Sequence, residues 1–323
     1  MMENRKKIFI PIVLSIFFSI IIFLIADWLC FKIAKNYLVF KNLVKADNKL
    51  RYKTYDKINE NDIGTTNTYK YFLEKKYYRN PVIKKSNKPS IILFGDSYTY
   101  YNQTNGLQVL LSKYTNRTVF NFSYFGWNVQ HMYYLIKNPL LYNIINMYTD
   151  KNPEYAIYTY IWFHKDRLNP VTANYIMDIE PYLTYENING SLQQKQYSSI
   201  YKLFFRFYIT RAILYKYTTI TSDRKKEYEQ LTKTIIESAN ELKKHYPNIK
   251  FIIFEYSQKN YVIPEEIKMF EELQKNGIHY ISSNNITNEN LSDEKYTIED
   301  GYHPNANAWK ILSKKLAETV ESI

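Results

Sequence analysis

Two residues of this chain have neighbours suited to covalent chemistry. The first is the serine of Gly95-Asp96-Ser97-Tyr98, directly after the apolar run Ser90-Ile91-Ile92-Leu93-Phe94. The second is the histidine of Asp300-Gly301-Tyr302-His303-Pro304, about twenty residues before the last residue. A serine hydroxyl is a poor nucleophile until a base takes its proton. An imidazole acting as that base needs a carboxylate to fix its tautomer and stabilise its cation. Asp300 and His303 stand three apart on one short loop, so Asp300 can meet one ring nitrogen while the other faces Ser97. Both segments also read as plain structure. Gly-Asp-Ser is a good turn, Asp300-Gly301 is another, and Pro304 suits the start of a helix.

For these groups to meet, the elements carrying them must bring strand ends together. From Pro89 onward the sequence alternates short apolar runs with amphipathic stretches. The expected strands are 90–94, 118–122, 155–161, 250–254 and 277–281. Continuous apolar runs of this kind fit strands buried on both faces. Helices are expected near 104–115, 127–145, 222–246, 264–275 and 305–321. In the 222–246 stretch Tyr228, Leu231, Ile235, Ala239 and Leu242 recur with helical period. Strands alternating with helices imply an α/β fold, a parallel sheet with helices on both faces. Such sheets carry their active groups at the carboxyl ends of strands, where Ser97 falls. The segment 165–220 breaks the rhythm and is expected to be an aromatic-rich insertion beside the site.

With these elements placed, the chain resembles the SGNH/GDSL hydrolase superfamily over about residues 89–320. Gly95-Asp96-Ser97 is similar to its first sequence block and Asp300-x-x-His303-Pro304 to its last. Asn121-Phe122-Ser123-Tyr124-Phe125-Gly126 is similar to the second. The resemblance implies a three-layer α/β/α, flavodoxin-like domain with Ser97, His303 and Asp300 as the triad. It also implies an oxyanion hole built from the backbone N–H groups of Ser97 and Gly126. The family's third block, Gly-x-Asn-Asp, supplies an Asn donor. Here that position is Phe163, followed by His164, Lys165, Asp166 and Arg167. His164 is therefore the candidate third oxyanion donor. Asp96, Asn128 and Arg167 are candidate substrate-binding residues, with Trp127 and His131 as further candidates for the pocket wall.

The expected reaction is hydrolysis of an acyl ester, most simply an acetyl ester, of a cell-envelope glycan. Two alternatives stand beside it: transfer of the acyl group to a glycan hydroxyl, and a non-catalytic glycan-binding or assembly protein on the same fold. The chemistry requires no metal and no cofactor. With 7 glycines among 323 residues, no Gly-rich phosphate loop is present.

The rest of the sequence bears on location. Ile8 to Ala26 carries no charged residue over 19 positions, about 28 Å as a helix. Arg5, Lys6 and Lys7 precede it, and Trp28 lies at the far edge. The exit Ala26-Asp27-Trp28-Leu29-Cys30 is a poor cleavage site. The expectation is an uncleaved signal anchor in residues 1–32, a polar stalk over 33–88, and a catalytic domain over 89–323. The basic N-terminus predicts a single-pass protein with its domain in the periplasm or outside the cell. The formal net charge is +12, from 43 basic and 31 acidic residues. Four of those bases and two of the acids lie before residue 33, so the exported part keeps +10. That balance suits an anionic polymer. No Lys/Arg block with interleaved aromatics is present, so nucleic acid is not an expected partner. Cys30 is the one cysteine, which excludes an intramolecular disulfide and a multi-cysteine metal site.

Overall fold

The computed structural model describes residues 15–29, 86–100, 106–123, 127–168, 185–188, 191–194, 223–257, 263–298 and 303–323, with isolated positions between 207 and 217. Seven strands are described: β1 (Ile91–Phe94), β2 (Val119–Asn121), β3 (Tyr155–Tyr160), β4 (Tyr185–Ile188), β5 (Ser191–Gln194), β6 (Lys250–Glu255) and β7 (His279–Ser282). Five of them form one sheet in the order β2-β1-β3-β6-β7, and every neighbouring pair is parallel. These are the five apolar runs expected from the sequence. Every residue of β1, β2 and β3 is buried, because each side of the sheet is covered by helices.

Strand alternation sorts the side chains between two cores. Ile92, Phe94, Ala156, Tyr158 and Tyr160 point to one face, where they meet the helices Val129–Ile136, Pro139–Tyr148, Arg224–His245 and Pro264–Lys275. Ile91, Leu93, Tyr155 and Ile157 point to the other, against Leu107–Thr115 and Ala306–Ser322. The architecture is thus three layers, α/β/α. The five positions singled out on the long helix, Tyr228, Leu231, Ile235, Ala239 and Leu242, all lie in the first core. At the amino-terminal edge of the sheet Arg117 bonds the Pro89 carbonyl at 2.9 Å, Glu154 at 2.7 Å and Glu321 at 2.7 Å. That cation joins the start of the sheet to the end of the last helix.

Some expectations change. The helix expected over 127–145 is two helices, Val129–Ile136 and Pro139–Tyr148. Pro139 has no N–H to continue the first helix and disfavours helical backbone at Asn138. Within the expected insertion, β4 and β5 form an antiparallel hairpin. Tyr185 packs edge-on against Tyr133 at 5.0 Å between ring centroids. The expected stalk falls almost wholly on residues outside the described set. Residues 15–29 form a helix, while 8–14, the first part of the apolar run, lie outside the described residues. Among the described residues no helix is long and apolar enough to cross a membrane.

Gly95 is set by a close approach. A Cβ built there runs into the Thr99 side chain well inside contact distance and lies 3.3 Å from the Thr159 Cβ. Both threonines are buried, so neither swings aside freely. Gly95→Ala is expected to destabilise the domain by about 1–3 kcal/mol, the usual range for overpacking. A denaturant midpoint equal to that of the wild type contradicts this.

Candidate active site

β1 ends at Phe94, the chain turns through Gly95 and Asp96, and Ser97 begins a single helical turn, Ser97–Tyr100. The turn is fixed locally. Asp96 Oδ1 accepts the Tyr98 N–H at 3.0 Å, and the Asp96 carbonyl accepts the Thr99 N–H at 3.2 Å. An N–H at the start of such a turn has no acceptor within it and is available to an incoming oxygen.

His303 reaches the same place from the far end of the domain. Its Nε2 lies 2.7 Å from Ser97 Oγ, across 206 residues of sequence. The loop carrying it is pinned at both ends. Ile298 donates its N–H to the His303 carbonyl at 2.9 Å, Thr297 pairs with Pro304, and Asn305 caps the last helix by accepting from Asn307 and Ala308. The Tyr98 ring packs on the imidazole at 4.7 Å between centroids, which limits ring rotation. Ser97 is 4% and His303 7% exposed, a largely dry setting where charge–charge effects are strong. Hydroxyl and imidazole at this distance form a nucleophile–base pair. Asp300, expected as the third member, and Gly126, expected as an oxyanion donor, both lie outside the described residues.

Behind Ser97 is a buried polar cluster. The Asp96 carboxylate is fully enclosed. Its Oδ2 lies 2.6 Å from Arg167 Nη1 and 3.3 Å from His164 Nε2. Burial alone would raise the Asp96 carboxyl. The Arg167 charge first, and His164 after it, outweigh burial and hold it well below the usual carboxylate range. His164 has no solvent exposure, and its Nδ1 is 2.7 Å from the Tyr158 hydroxyl. Burial lowers its pKa, against the opposing pull of Asp96. A neutral ring whose Nδ1 accepts from Tyr158 fits this setting, while Nε2 faces Asp96 Oδ2 at 3.3 Å without hydrogen-bond geometry.

Several residues expected to face substrate are thus placed elsewhere. The two ring nitrogens of His164 lie toward Asp96 and Tyr158 in the interior. Asp96 is not on a pocket wall; it braces the turn under Ser97. Arg167, with 6% of its side chain exposed, is spent on Asp96, on the Trp127 carbonyl at 3.1 Å and on the Phe163 ring, whose centroid is 4.4 Å away. Asn128 caps the Val129–Ile136 helix, accepting from the N–H groups of Gln130 and His131, and donates to the Arg167 carbonyl at 2.5 Å. Trp127 and His131 stack on each other at 5.5 Å. Burial first, then the nearby Arg167 cation, lower the His131 pKa to about 3, so that ring stays neutral. Tyr98, Tyr158 and Phe163 take part in the cluster, a role not expected from the sequence; Phe163 was marked there only as the residue at the third-block Asn position, and Tyr158 only by its alternation along β3. Among the described residues no three His, Cys, Asp or Glu side chains gather as a metal-binding group.

The sequence matches no family model and no curated protein. Among solved structures it is similar to a protein assigned to the lipolytic G-D-S-L family from Desulfitobacterium hafniense. That similarity has 11% identity and a TM-score of 0.42, over 72% of this chain and 99% of that one. It is similar to an acetyl xylan esterase from Butyrivibrio proteoclasticus at 12% identity and TM-score 0.42, over 74% of this chain and 64% of that one. It is also similar to a family two carbohydrate esterase from Clostridium thermocellum at 8% identity and TM-score 0.43, over 74% and 65% of the respective chains.

Proposed function

We propose that this chain is a serine esterase that removes an acyl group, most simply acetyl, from a glycan of the cell envelope. The observation carrying the reading is the 2.7 Å approach of His303 Nε2 to Ser97 Oγ at the carboxyl end of β1. It joins the two sequence blocks that resemble the ends of the SGNH/GDSL domain. In this reading His303 takes the Ser97 proton as Oγ attacks the ester carbonyl, and Asp300 supports the imidazolium. The backbone N–H groups of Ser97 and Gly126 hold the oxyanion. Collapse of the tetrahedral intermediate breaks the bond to the leaving sugar oxygen, which takes the proton from His303. Water then attacks the acyl-serine and the acid is released. A glycan hydroxyl in place of water makes the same site an O-acyltransferase. The apolar run Ile8–Ala26 and the net +10 of the chain beyond residue 32 support an envelope setting with an anionic polymer as substrate, the run serving as an uncleaved membrane anchor.

The test is a serine-directed fluorophosphonate probe. Wild type is expected to become labelled and Ser97→Ala to remain unlabelled. A folded wild type that is never labelled and does not cleave p-nitrophenyl acetate sinks the enzymatic reading and leaves a binding role. Mass spectrometry of products from an acetylated glycan, with and without a second glycan, separates hydrolysis from transfer.

A further inference from the structure

The position where the resemblance implies an Asn donor is Phe163 here, yet the loop after β3 is bound tightly to the Ser97 turn by a different route. Arg167 Nη1 contacts Asp96 Oδ2 at 2.6 Å, in the turn after β1, and the Trp127 carbonyl at 3.1 Å, on the chain after β2. Its guanidinium lies 4.4 Å over the ring of Phe163, on its own loop after β3. Its carbonyl accepts from Asn128 at 2.5 Å. The strands β2, β1 and β3 are adjacent in the sheet, so one side chain bonds the loops leaving three neighbouring strands. Asp96 directly precedes Ser97, and Trp127 directly follows Gly126 in sequence.

We infer that Arg167 is the positioning residue of this site, fixing the Ser97 turn and the chain entering at Trp127 from behind. Arg167 is nearly enclosed by protein and touches no reacting atom; it acts through Asp96 and the Trp127 carbonyl. A planar fork with several N–H donors is suited to holding two acceptors at a set angle while stacking on a ring, and a lysine ammonium is not. In the esterase reading proposed above the backbone N–H groups of Ser97 and Gly126 hold the oxyanion; Ser97 follows Asp96 directly, and Gly126 directly precedes Trp127 in sequence. Small misplacement of such groups is enough to cost about 100-fold in rate.

This inference rests on the serine acyl-transfer reading, and the experiment separates the two. Full-length wild type, Arg167→Lys, Arg167→Met and Ser97→Ala are compared by thermal melting, by the second-order rate of fluorophosphonate labelling, and by kcat and KM for p-nitrophenyl acetate, well below each Tm. Arg167→Lys is expected to fold, to label about 10–100-fold more slowly, and to lose kcat in proportion while KM changes by no more than about twofold. Arg167→Met is expected to lose more. A residue that only stabilises the fold lowers Tm and leaves kcat per folded molecule unchanged. Folded variants labelled at the wild-type rate overturn the inference and leave the serine reading standing. So does a rise in KM at constant kcat, which places Arg167 on the substrate. If neither variant folds, Arg167 is a stability residue and the inference is overturned. A wild type that is not labelled removes the serine reading itself.

Discussion

Replacing His303 with alanine is expected to lower kcat/KM for an ester substrate by about 10⁴–10⁶-fold. Ser97 Oγ has its base at 2.7 Å in His303 Nε2, and the hydroxyl alone at neutral pH is almost wholly protonated. Loss of the imidazole removes both the base for attack and the acid for departure of the leaving alcohol. Ser97→Ala is expected to have an effect of the same size. The double variant should be no worse than either single one, because the two groups act as a unit. Initial rates on p-nitrophenyl acetate with all three variants check both statements. His303→Ala within tenfold of wild type would show that the contact is structural. The imidazole is buried against Tyr98, so rates are compared per folded molecule well below the Tm of each variant, and a rate loss then reads as chemistry.

The second large effect is on stability. Asp96→Asn takes the anion from a pair whose cation, Arg167, is nearly enclosed. Breaking a buried pair from one side costs about 3–5 kcal/mol, because the remaining charge is left nearly enclosed without its counter-anion. For a domain of this size that corresponds to a fall in Tm of about 10 °C. The pH dependence has a definite sign. Arg167 and His164 hold the Asp96 carboxyl below its ordinary value of 3.8 in spite of burial. A group depressed on folding contributes stability that is fully present above the unfolded value and is lost as pH falls through the folded one. The gap between wild type and Asp96→Asn should therefore be widest near neutrality and narrow at pH 3, where unfolded Asp96 is largely protonated. Urea midpoints at pH 7 and pH 3 measure it. A gap that grows toward acid would mean that Asp96 is protonated in the folded protein.

The central strands were legible because helices enclose them on both faces, which favours continuous apolar runs such as Ile91–Phe94; β7, with partly exposed His279 and Tyr280, gave a weaker run. The long helix was legible because one face packs on the sheet and the other meets water, which imprints a helical period on Tyr228, Leu231, Ile235, Ala239 and Leu242. The break at Asn138-Pro139 was equally visible and was passed over because apolar residues continue on both sides of it. Ser97 and His303 were legible from their local turns and from resemblance to known blocks. The surroundings of their neighbours were not legible, for a physical reason. Polar residues next to a nucleophile look alike whether they face solvent or the interior. Asp96 and Ser97 are consecutive, yet one points under the turn and the other out of it. The partner that decides this, Arg167, is 71 residues away from Asp96, and no local pattern announces a contact of that span. The setting of His164 was hidden likewise: its Nδ1 meets the hydroxyl of Tyr158, a strand residue that reads as plain core.

The route by which His303 reaches Ser97 also sets a timetable. The serine and its turn are made with the first strand of the sheet, and the histidine follows 206 residues later, on a loop seated only when the last helix docks against Leu107–Thr115. At translation speeds of about 5–20 residues per second the Ser97 hydroxyl waits about 10–40 seconds for its imidazole partner. On the esterase reading proposed above, a nascent or C-terminally clipped chain then carries an inert hydroxyl, and reactivity arrives with the closing of the fold. Appearance of probe reactivity during synthesis thus doubles as a clock for completion of the domain.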